Sequence, residues 1–260
     1  MGHLHRSGHP GRGGDIWDTS TTNWTVDNGN SNIAWDNFAN AADTALFTTG
    51  TGRISLAEDI FLRELAITST NTSTISGQAM VHVFGGPGRF QFGSQQGVID
   101  VTGVGLRNNQ IDNDLVGSGG LVVTSVGGGT GDGRLILAGD NSGLGGGIHI
   151  DSGLLGIASS SALGANTVTL NGGGIFGPVN RSGPTATING PTNLVIGNDV
   201  VINDVAGNLI RVWGGRNLLF TGEMSGGGGF AKTDSGSAFI RTNTLTAPLT
   251  ISGGHSGLTS

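Results

Sequence analysis

The chain contains no cysteine, and Lys232 is its only lysine. Without cysteine, neither disulfide bonds nor thiolate metal sites contribute to the fold. Charged residues make up only 12% of the 260 residues, and the formal net charge is −6. A surface that binds nucleic acid needs clustered Lys and Arg. This charge balance therefore argues against nucleic acid as a partner, and equally against an anionic membrane surface.

Long apolar runs are also missing. A helix that spans a bilayer needs about 20 consecutive apolar residues, and no run approaches this length, so we predict no membrane-spanning segment. Residues 1–12 lack the apolar centre of a secretory signal. No proline-rich or charge-rich linker interrupts the pattern, which favours one elongated domain over two globular ones.

Glycine, in contrast, is abundant and supplies 51 of the 260 residues. It is clustered rather than placed at every third position, which excludes a collagen helix. Because glycine accepts positive φ values, clusters between apolar runs predict tight turns. Hydrophobic residues make up 35% of the chain, and this share with so few charges indicates an ordered chain.

Short runs of alternating apolar and polar residues recur from about residue 53 onward. Clear examples are residues 53–57, 80–84, 98–101, 121–124 and 134–137. Alternation leaves one face of a segment buried and the other wetted, so these runs predict β-strands. We expect Ile148 to point inward and Asp151 outward. Residues 57–65 fit either a helical turn or a strand entered through an acidic turn.

Residues 131–164 set such runs between glycine-rich turns, in the order expected of coils in a parallel β-solenoid. Each coil would bury a few aliphatic side chains, and its backbone would pair with the next coil at about 4.8 Å. At roughly 20 to 25 residues a coil, the chain would make on the order of ten coils. Asn141, Asn171 and Asn189 occupy recurrent turn positions, where side-chain amides can stack and share hydrogen bonds.

The same segment resembles the passenger-associated β-strand repeat of bacterial autotransporters and related surface proteins. The resemblance rests on Gly133, Leu135, Leu137, Gly139 and Asn141, and on a Ser/Ala-rich turn that ends in Leu163 and Gly164. It implies an all-β fold, namely a right-handed parallel β-helix (β-solenoid), at the bacterial cell surface or outside the cell. It also implies a non-catalytic stalk, spacer or adhesin passenger segment that contacts a host, matrix or polysaccharide surface.

The sequence divides into three predicted regions. Residues 1–14 are predicted to be a disordered N-terminal tail, residues 15–50 an aromatic-rich N-terminal cap, and residues 51–260 the solenoid. Residues 250–260 look like the opening of another coil, so we expect the C-terminal end to be truncated. An exposed final strand near residues 249–251 also predicts end-to-end self-association.

Aromatic residues distinguish the cap region: Trp17, Trp24, Trp35, Phe38 and Phe47. We expect these large rings to cover the open apolar end of the solenoid, because repeat arrays require atypical terminal units. The alternative is a carbohydrate-binding module, in which Trp17, Trp24 and Trp35 form a solvent-facing platform that stacks on sugar rings.

A polysaccharide-active enzyme, either a lyase or a glycosidase, is the main alternative function. Glycosidases need two carboxylates about 5 to 10 Å apart, and the candidates are Asp100, Asp112, Asp114, Asp199 and Asp204. They form no cluster recognisable in the sequence. A lyase would require a basic residue, and the candidate Lys232 is expected in a glycine-rich turn. We therefore predict no catalytic site.

The remaining polar patterns are predicted to be structural, with no metal or cofactor bound. His3, His5 and His9 lie in a glycine-rich terminus that we expect to be flexible. Residues 128–133 resemble a calcium-binding nonapeptide but lack one residue and occur only once. We expect outward-facing positions for His82, His149 and His255, and a repeat turn at residues 159–161.

Overall fold

The computed structural model describes residues 3–6, 15–25, 31–48, 50–69, 73–75, 78–101, 108–125 and 133–258. Within these ranges the protein is all-β, as the sequence predicts. No α-helix occurs there, and the helical element η1 (Asn141–Gly143) is a single 3₁₀ turn. The described residues include no helix of the length and apolar character that crossing a membrane requires.

Short strands follow one another along the described chain. The strands up to η1 are β1 (His3–Arg6), β2 (Asp15–Trp17), β3 (Trp24–Thr25), β4 (Thr44–Phe47), β5 (Gly52–Leu56), β6 (Ile60–Phe61), β7 (Glu64–Ile67), β8 (Ser73–Ile75), β9 (Gln78–Gly85), β10 (Phe90–Gly93), β11 (Gly97–Asp100), β12 (Asn108–Ile111), β13 (Leu115–Gly117), β14 (Leu121–Thr124) and β15 (Arg134–Leu137). The strands after η1 are β16 (Ile148–Ile150), β17 (Leu154–Ile157), β18 (Val168–Leu170), β19 (Gly174–Phe176), β20 (Arg181–Ser182), β21 (Thr187–Ile188), β22 (Asn193–Ile196), β23 (Val200–Ile202), β24 (Leu209–Arg211), β25 (Asn217–Ser225), β26 (Ala231–Thr233), β27 (Ser237–Asn243), β28 (Thr250–Ile251) and β29 (His255–Leu258).

Two large sheets organise these strands. Sheet A has the order β29-β27-β25-β23-β18-β16-β14-β11-β7-β4-β1-β3, and β22 also pairs with β25. Sheet B has the order β2-β5-β9-β12-β15-β17-β19-β24-β26-β28, and β8 also pairs with β9. The smaller sheet C has the order β13-β10-β6. The named strands pair in parallel except for β1–β3, β8–β9 and β20–β21.

Consecutive strands enter the sheets in a repeating order. From β9 to β14 the chain passes through sheets B, C, A, B, C and A. From β14 to β19 it alternates between sheets A and B, and Leu144, which follows η1, forms a bridge to Gly117 at the edge of sheet C. Parallel neighbours in one sheet are therefore separated along the chain by a strand of another sheet, which supplies the long connection that parallel pairing needs.

Equivalent positions of sheet A lie in register. Leu121 pairs with Ile148, Ile148 with Val168, and Val168 with Val200, and all four side chains are buried. The inward position predicted for Ile148 is confirmed, and Asp151 is exposed as predicted. A column of aliphatic side chains thus lines the core face of the ladder.

The central strands of sheet B, namely β15, β17 and β19, are buried on both faces. On β15, Leu135 and Leu137 belong to the main core, whereas Ile136 between them belongs to a second apolar cluster. Because successive strand residues point to opposite faces, this second cluster lies on the outer face of sheet B. We call it the outer apolar cluster, and its buried members are Met80, Val83, Ile136, Leu154, Phe176, Val179 and Leu209.

Asparagine side chains connect neighbouring turns, as expected, but the partners are mainly backbone groups. The Asn141 Oδ1 accepts a hydrogen bond from Leu115 N at 2.7 Å, and its Nδ2 donates to Ala162 O at 2.7 Å. The predicted side-chain pairing occurs at Asn171, whose Oδ1 accepts from Asn203 Nδ2 at 3.1 Å. A backbone partner satisfies the amide as well as a second asparagine does, so stacking is not required.

Two segments near the N-terminus complete the fold. Strand β1 lies within the predicted tail and pairs with β3 and β4, while the rest of residues 1–14 lies outside the described residues. Residues 57–65 contribute β6 and the beginning of β7, so the strand alternative is correct. Their backbones pair with β10 and with β4 and β11.

Candidate functional site

The three tryptophans proposed as a sugar platform form a buried aromatic cluster. Trp17, Trp24 and Trp35 are at most 2% exposed, and the ring centroids of Trp17 and Trp24 are 4.7 Å apart. Trp17 and Trp24 lie on β2 and β3, the terminal strands of sheets B and A. This position suits rings that cover the end of a core. A solvent-facing platform of these three residues is wrong, because all three rings are buried.

Phe38, which the sequence groups with the covering rings, is instead 96% exposed. It stands on a tight turn in which Asp36 Oδ1 accepts hydrogen bonds from Phe38 N and Ala39 N. These backbone donors lower the pKa of Asp36 because they stabilise the carboxylate. The neighbouring Asn37 binds the backbone of β6 and of the residue before it: its Nδ2 donates to Asp59 O at 2.6 Å and its Oδ1 accepts from Phe61 N at 2.9 Å.

Phe61 is also exposed, at 41%, and the hydrogen bonds of Asn37 join the turn that carries Phe38 to the strand that carries Phe61. A polar group lies beside Phe61, since Gln91 pairs with it in the neighbouring strand. Asp59 accepts hydrogen bonds from Nε and Nη2 of Arg89, the latter at 2.7 Å, and from Gln91 Nε2 at 2.9 Å. The hydrogen bonds from Arg89 are the main cause that lowers the pKa of Asp59. We call Phe38, Phe61, Asp59, Arg89 and Gln91 the aromatic patch.

Three of the five candidate aspartates are held by different partners. Asp112 pairs with Arg181, Asp114 accepts from Asp140 N at 2.8 Å, and Asp199 accepts from Glu223 N at 2.8 Å. Asp100 ends β11 of sheet A, and Asp204 is an exposed residue after β23. Among the described residues, no group of three or more His, Cys, Asp or Glu side chains could hold a metal ion.

Lys232 lies on β26 and not in a turn as expected, and its side chain is fully buried. Its Nζ donates to the carbonyl oxygens of Asp234 at 2.6 Å and Gly253 at 2.8 Å, and also to that of Gly236. Burial lowers the pKa of Lys232, while the charge of Asp234 opposes this shift. With all three protons directed at backbone oxygens, the amine serves as a structural cross-link.

The histidines and serines have equally local surroundings. His82 is 2% exposed and its ring centroid lies 5.2 Å from that of Phe47, so the outward position predicted for it is wrong. His149 is partly exposed on β16, and the serine hydroxyls of Ser159 and Ser161 lie 3.2 Å apart in a turn. The side chains of His3, His5 and His255, together with His9 and residues 128–132, lie outside what the structure describes.

A polar site that the sequence analysis missed lies on the outer face of sheet B. Residues 177–192, here called the strap, leave the ladder between β19 and β22 and contain the β20–β21 hairpin. Val179 joins the outer apolar cluster. Arg216 holds the strap base, since it donates to Pro178 O at 2.9 Å and to the Asn180 side chain.

Gln110 on β12 recognises the backbone of the strap tip. Its Oε1 accepts from Ser182 N at 2.7 Å, and its Nε2 donates to Ser182 O at 2.9 Å. The Ser182 hydroxyl donates to Ile75 O at 2.7 Å, and both Ser182 and Gln110 are fully buried. The side-chain amide thus replaces a neighbouring strand, because it offers the same donor and acceptor pair.

Two guanidinium groups and one carboxylate complete this site. Arg53 Nη2 donates to Ser182 Oγ at 3.0 Å and to Gly183 O, while Arg181 Nη1 lies 3.3 Å from Asp112 Oδ1. Burial raises the pKa of Asp112, although the hydrogen bond from Gln110 and the charges of Arg181 and Arg53 act in the opposite direction. We call Arg53, Gln110 and Asp112 the tip site.

The tip site is suited to holding an extended peptide, whereas Asp112, Asp114 and Asp199 are each bound to a different partner. One sequence signal accompanies the strap: Gly-Pro dipeptides at residues 177–178 and 190–191 enclose a stretch that departs from the repeat pattern. Comparisons with protein-family models, with curated proteins and with solved structures returned no match to this chain.

Proposed function

We propose that the chain winds as a right-handed parallel β-helix and serves as a non-catalytic stalk, spacer or adhesin passenger segment. The observation that carries this proposal is the parallel ladder of sheet A, which continues from β1 to β29. Continuous backbone pairing at about 4.8 Å per strand makes a stiff element. The ordered alternation of strands among sheets supports a helical winding of the chain.

A bacterial surface or extracellular setting, and an autotransporter passenger identity, are part of the same proposal. They rest on the resemblance of residues 131–164 to passenger-associated repeats. A host, matrix or polysaccharide surface is the partner class we propose. The separate partners of Asp112, Asp114 and Asp199 support a role without catalysis, because glycoside hydrolysis needs two carboxylates free to act across one cleft.

Distances between spin labels test the proposed stalk, and the absence of cysteine makes labelling specific. Labels at Glu64→Cys, Thr169→Cys and Ser225→Cys lie on β7, β18 and β25 at equivalent register positions of sheet A. A stacked ladder predicts about 19 Å from the first to the second and about 29 Å from the first to the third. Narrow distributions near these values are expected, and broad or much shorter distributions contradict a rigid stalk.

Incubation with a panel of plant, bacterial and host polysaccharides tests the absence of catalysis. We expect neither new reducing ends nor unsaturated products. Product formation that is lost in Asp112→Asn or Asp199→Asn overturns the non-catalytic assignment and supports the enzyme alternative.

Self-association through the C-terminal strands is a further part of the proposal. Strands β28 and β29 end sheets B and A, and Leu249 and Ile251 are partly exposed beside them. An open strand edge with apolar side chains favours pairing with another chain. Sedimentation should show concentration-dependent association that Ile251→Lys suppresses, while equal association of both proteins contradicts this interface.

Binding of a sugar chain is a second candidate function, favoured by the exposure of Phe38 and Phe61 beside Asp59, Arg89 and Gln91. Exposed rings on a backbone fixed by hydrogen bonds, as at the Phe38 turn and on β6, offer flat apolar faces at little conformational cost. Affinity electrophoresis in soluble polysaccharides should show retardation that Phe38→Ala and Phe61→Ala reduce. Val195→Ala, at another exposed apolar residue, is the matched control, and equal loss in all three variants contradicts a specific patch.

A further inference from the structure

The strap is attached to the body differently from every strand of the large sheets. Its strands β20 and β21 pair only with each other, in a separate two-stranded antiparallel sheet. The described contacts of its tip with the body are made by side chains or to single backbone oxygens. An isolated hairpin is marginally stable, so the tip of the strap depends on the tip site for its position.

The tip site has the properties of a peptide-binding site. Gln110 forms hydrogen bonds with the backbone N–H and C=O of one residue, and Asp112 pairs with a cationic side chain. Arg53 donates to a hydroxyl oxygen and to the carbonyl oxygen of the next residue. Together they match the consecutive chemistry of Arg181, Ser182 and Gly183. Backbone bonds supply affinity and the flanking charge supplies specificity, as when a peptide adds to a sheet edge.

The strap tip comes from far along the chain. Ser182 is 72 residues from Gln110, and Gly183 is 130 residues from Arg53. Glycine precedes proline at both ends of the strap, where the chain leaves and rejoins the ladder region. Segments tied to the body through side chains and short hinges can be exchanged between identical protomers at low cost, because the same contacts form in either arrangement.

We propose that Arg53, Gln110 and Asp112 form a binding site for an extended Arg-Ser-Gly segment, which the chain's own strap occupies here. We further propose that the strap of a second copy of this chain can occupy it in exchange. Displacement of the strap uncovers part of the outer apolar cluster, and the second copy's strap covers it again through Val179.

A peptide of residues 178–190 tests the site. The host variant is Ser182→Pro, which removes the N–H that donates to Gln110 Oε1 while leaving the residues of the tip site unchanged. A labelled peptide should bind this variant at least about tenfold more tightly than it binds the wild type, whose own strap competes at a high effective concentration. The same peptide carrying Arg181→Ala should bind weakly.

The matched control adds Gln110→Leu to the Ser182→Pro host, since leucine keeps the volume of the side chain but makes neither hydrogen bond. We expect peptide binding to be lost while the circular dichroism spectrum and melting curve stay those of the host. Failure of the peptide to bind the folded Ser182→Pro host overturns the proposal. Binding that survives Gln110→Leu overturns the assigned site.

Complementation between two full-length variants tests the second copy as occupant. Ser182→Pro retains an intact site and a defective strap, whereas Gln110→Leu retains an intact strap and a defective site. A mixture unfolded and refolded together should contain a species of twice the monomer mass that is absent when each is refolded alone. If the mixture contains no more dimer than its components, the exchange with a second copy is wrong.

Discussion

Replacement of Lys232 by methionine tests how much a single buried ammonium group stabilises the ladder. The side chain is fully buried, and its Nζ donates to the backbone oxygens of Asp234, Gly236 and Gly253. Asp234 and Gly236 lie between β26 and β27, and Gly253 lies between β28 and β29. The amine therefore joins the turns that connect the last strands of sheets A and B.

The expected cost follows from what the substitution leaves behind. Each buried carbonyl that loses its donor costs about 1–3 kcal/mol. Removal of a desolvated charge and burial of the methionine side chain return part of that total. We expect Lys232→Met to lower the free energy of unfolding by about 3 kcal/mol, which corresponds to a Tm decrease of about 6–12 °C for a chain of this size.

Thermal and urea unfolding followed by circular dichroism give this quantity. Arg241→Met is the matched control, because Arg241 is an exposed cation on β27 and should change the stability by less than about 0.5 kcal/mol. If the free energy of unfolding of Lys232→Met lies within about 0.5 kcal/mol of the wild-type value, the three carbonyls do not depend on the amine and the structural role assigned to it is refuted.

Further variants probe the core, the turns and the tip site. Ile148→Asp should cost about 4 kcal/mol or more, because it buries a carboxylate in the ladder core, whereas the exposed Asp151→Ala should stay within about 0.5 kcal/mol; similar urea midpoints for the two would contradict the inward assignment. Asn166→Ala removes an Nδ2 that donates to two backbone oxygens and should lower the free energy of unfolding by about 2 kcal/mol. Asn166→Asp lacks the same donor, so it should recover only part of this stability, and full recovery would contradict the role of the amide donor. The raised pKa of Asp112 means that the folded state holds its proton more tightly than the unfolded state, so its contribution to stability should fall as pH rises from the unfolded pKa through the folded one. Asp112→Asn should abolish this part of the pH dependence, and an unchanged slope in urea titrations across acidic pH would show that Asp112 is not its source.

The alternation of apolar and polar residues along the chain was the main signal that predicted the strands. The runs at residues 121–124 and 134–137 appear as β14 and β15, because alternate side chains meet either the core or the opposite face. Residues 57–65 were ambiguous for a physical reason. An isolated strand has no backbone partner within its own segment, and only pairing with distant strands decides between extended and helical structure.

The position of large side chains was less predictable. Trp35 and Phe38 are three residues apart and similar in hydrophobicity, yet one is fully buried and the other is 96% exposed. Trp35 packs against Trp17 and Trp24 from other strands, whereas the Asp36 turn directs Phe38 away. Burial of His82 likewise depends on Phe47, which arrives from a strand of the other sheet.

The amino-acid sequence by itself determined the strand class, the glycine-rich turns and the inward positions of residues such as Ile148, since these depend on neighbours along the chain. Only the tertiary structure decided which polar groups meet: the tip site, the Lys232 cross-link and the buried tryptophan cluster. The strap shows the reason most clearly. Its tip contacts residues 72 and 130 positions away, and no local periodicity records a contact between segments so widely separated in the chain.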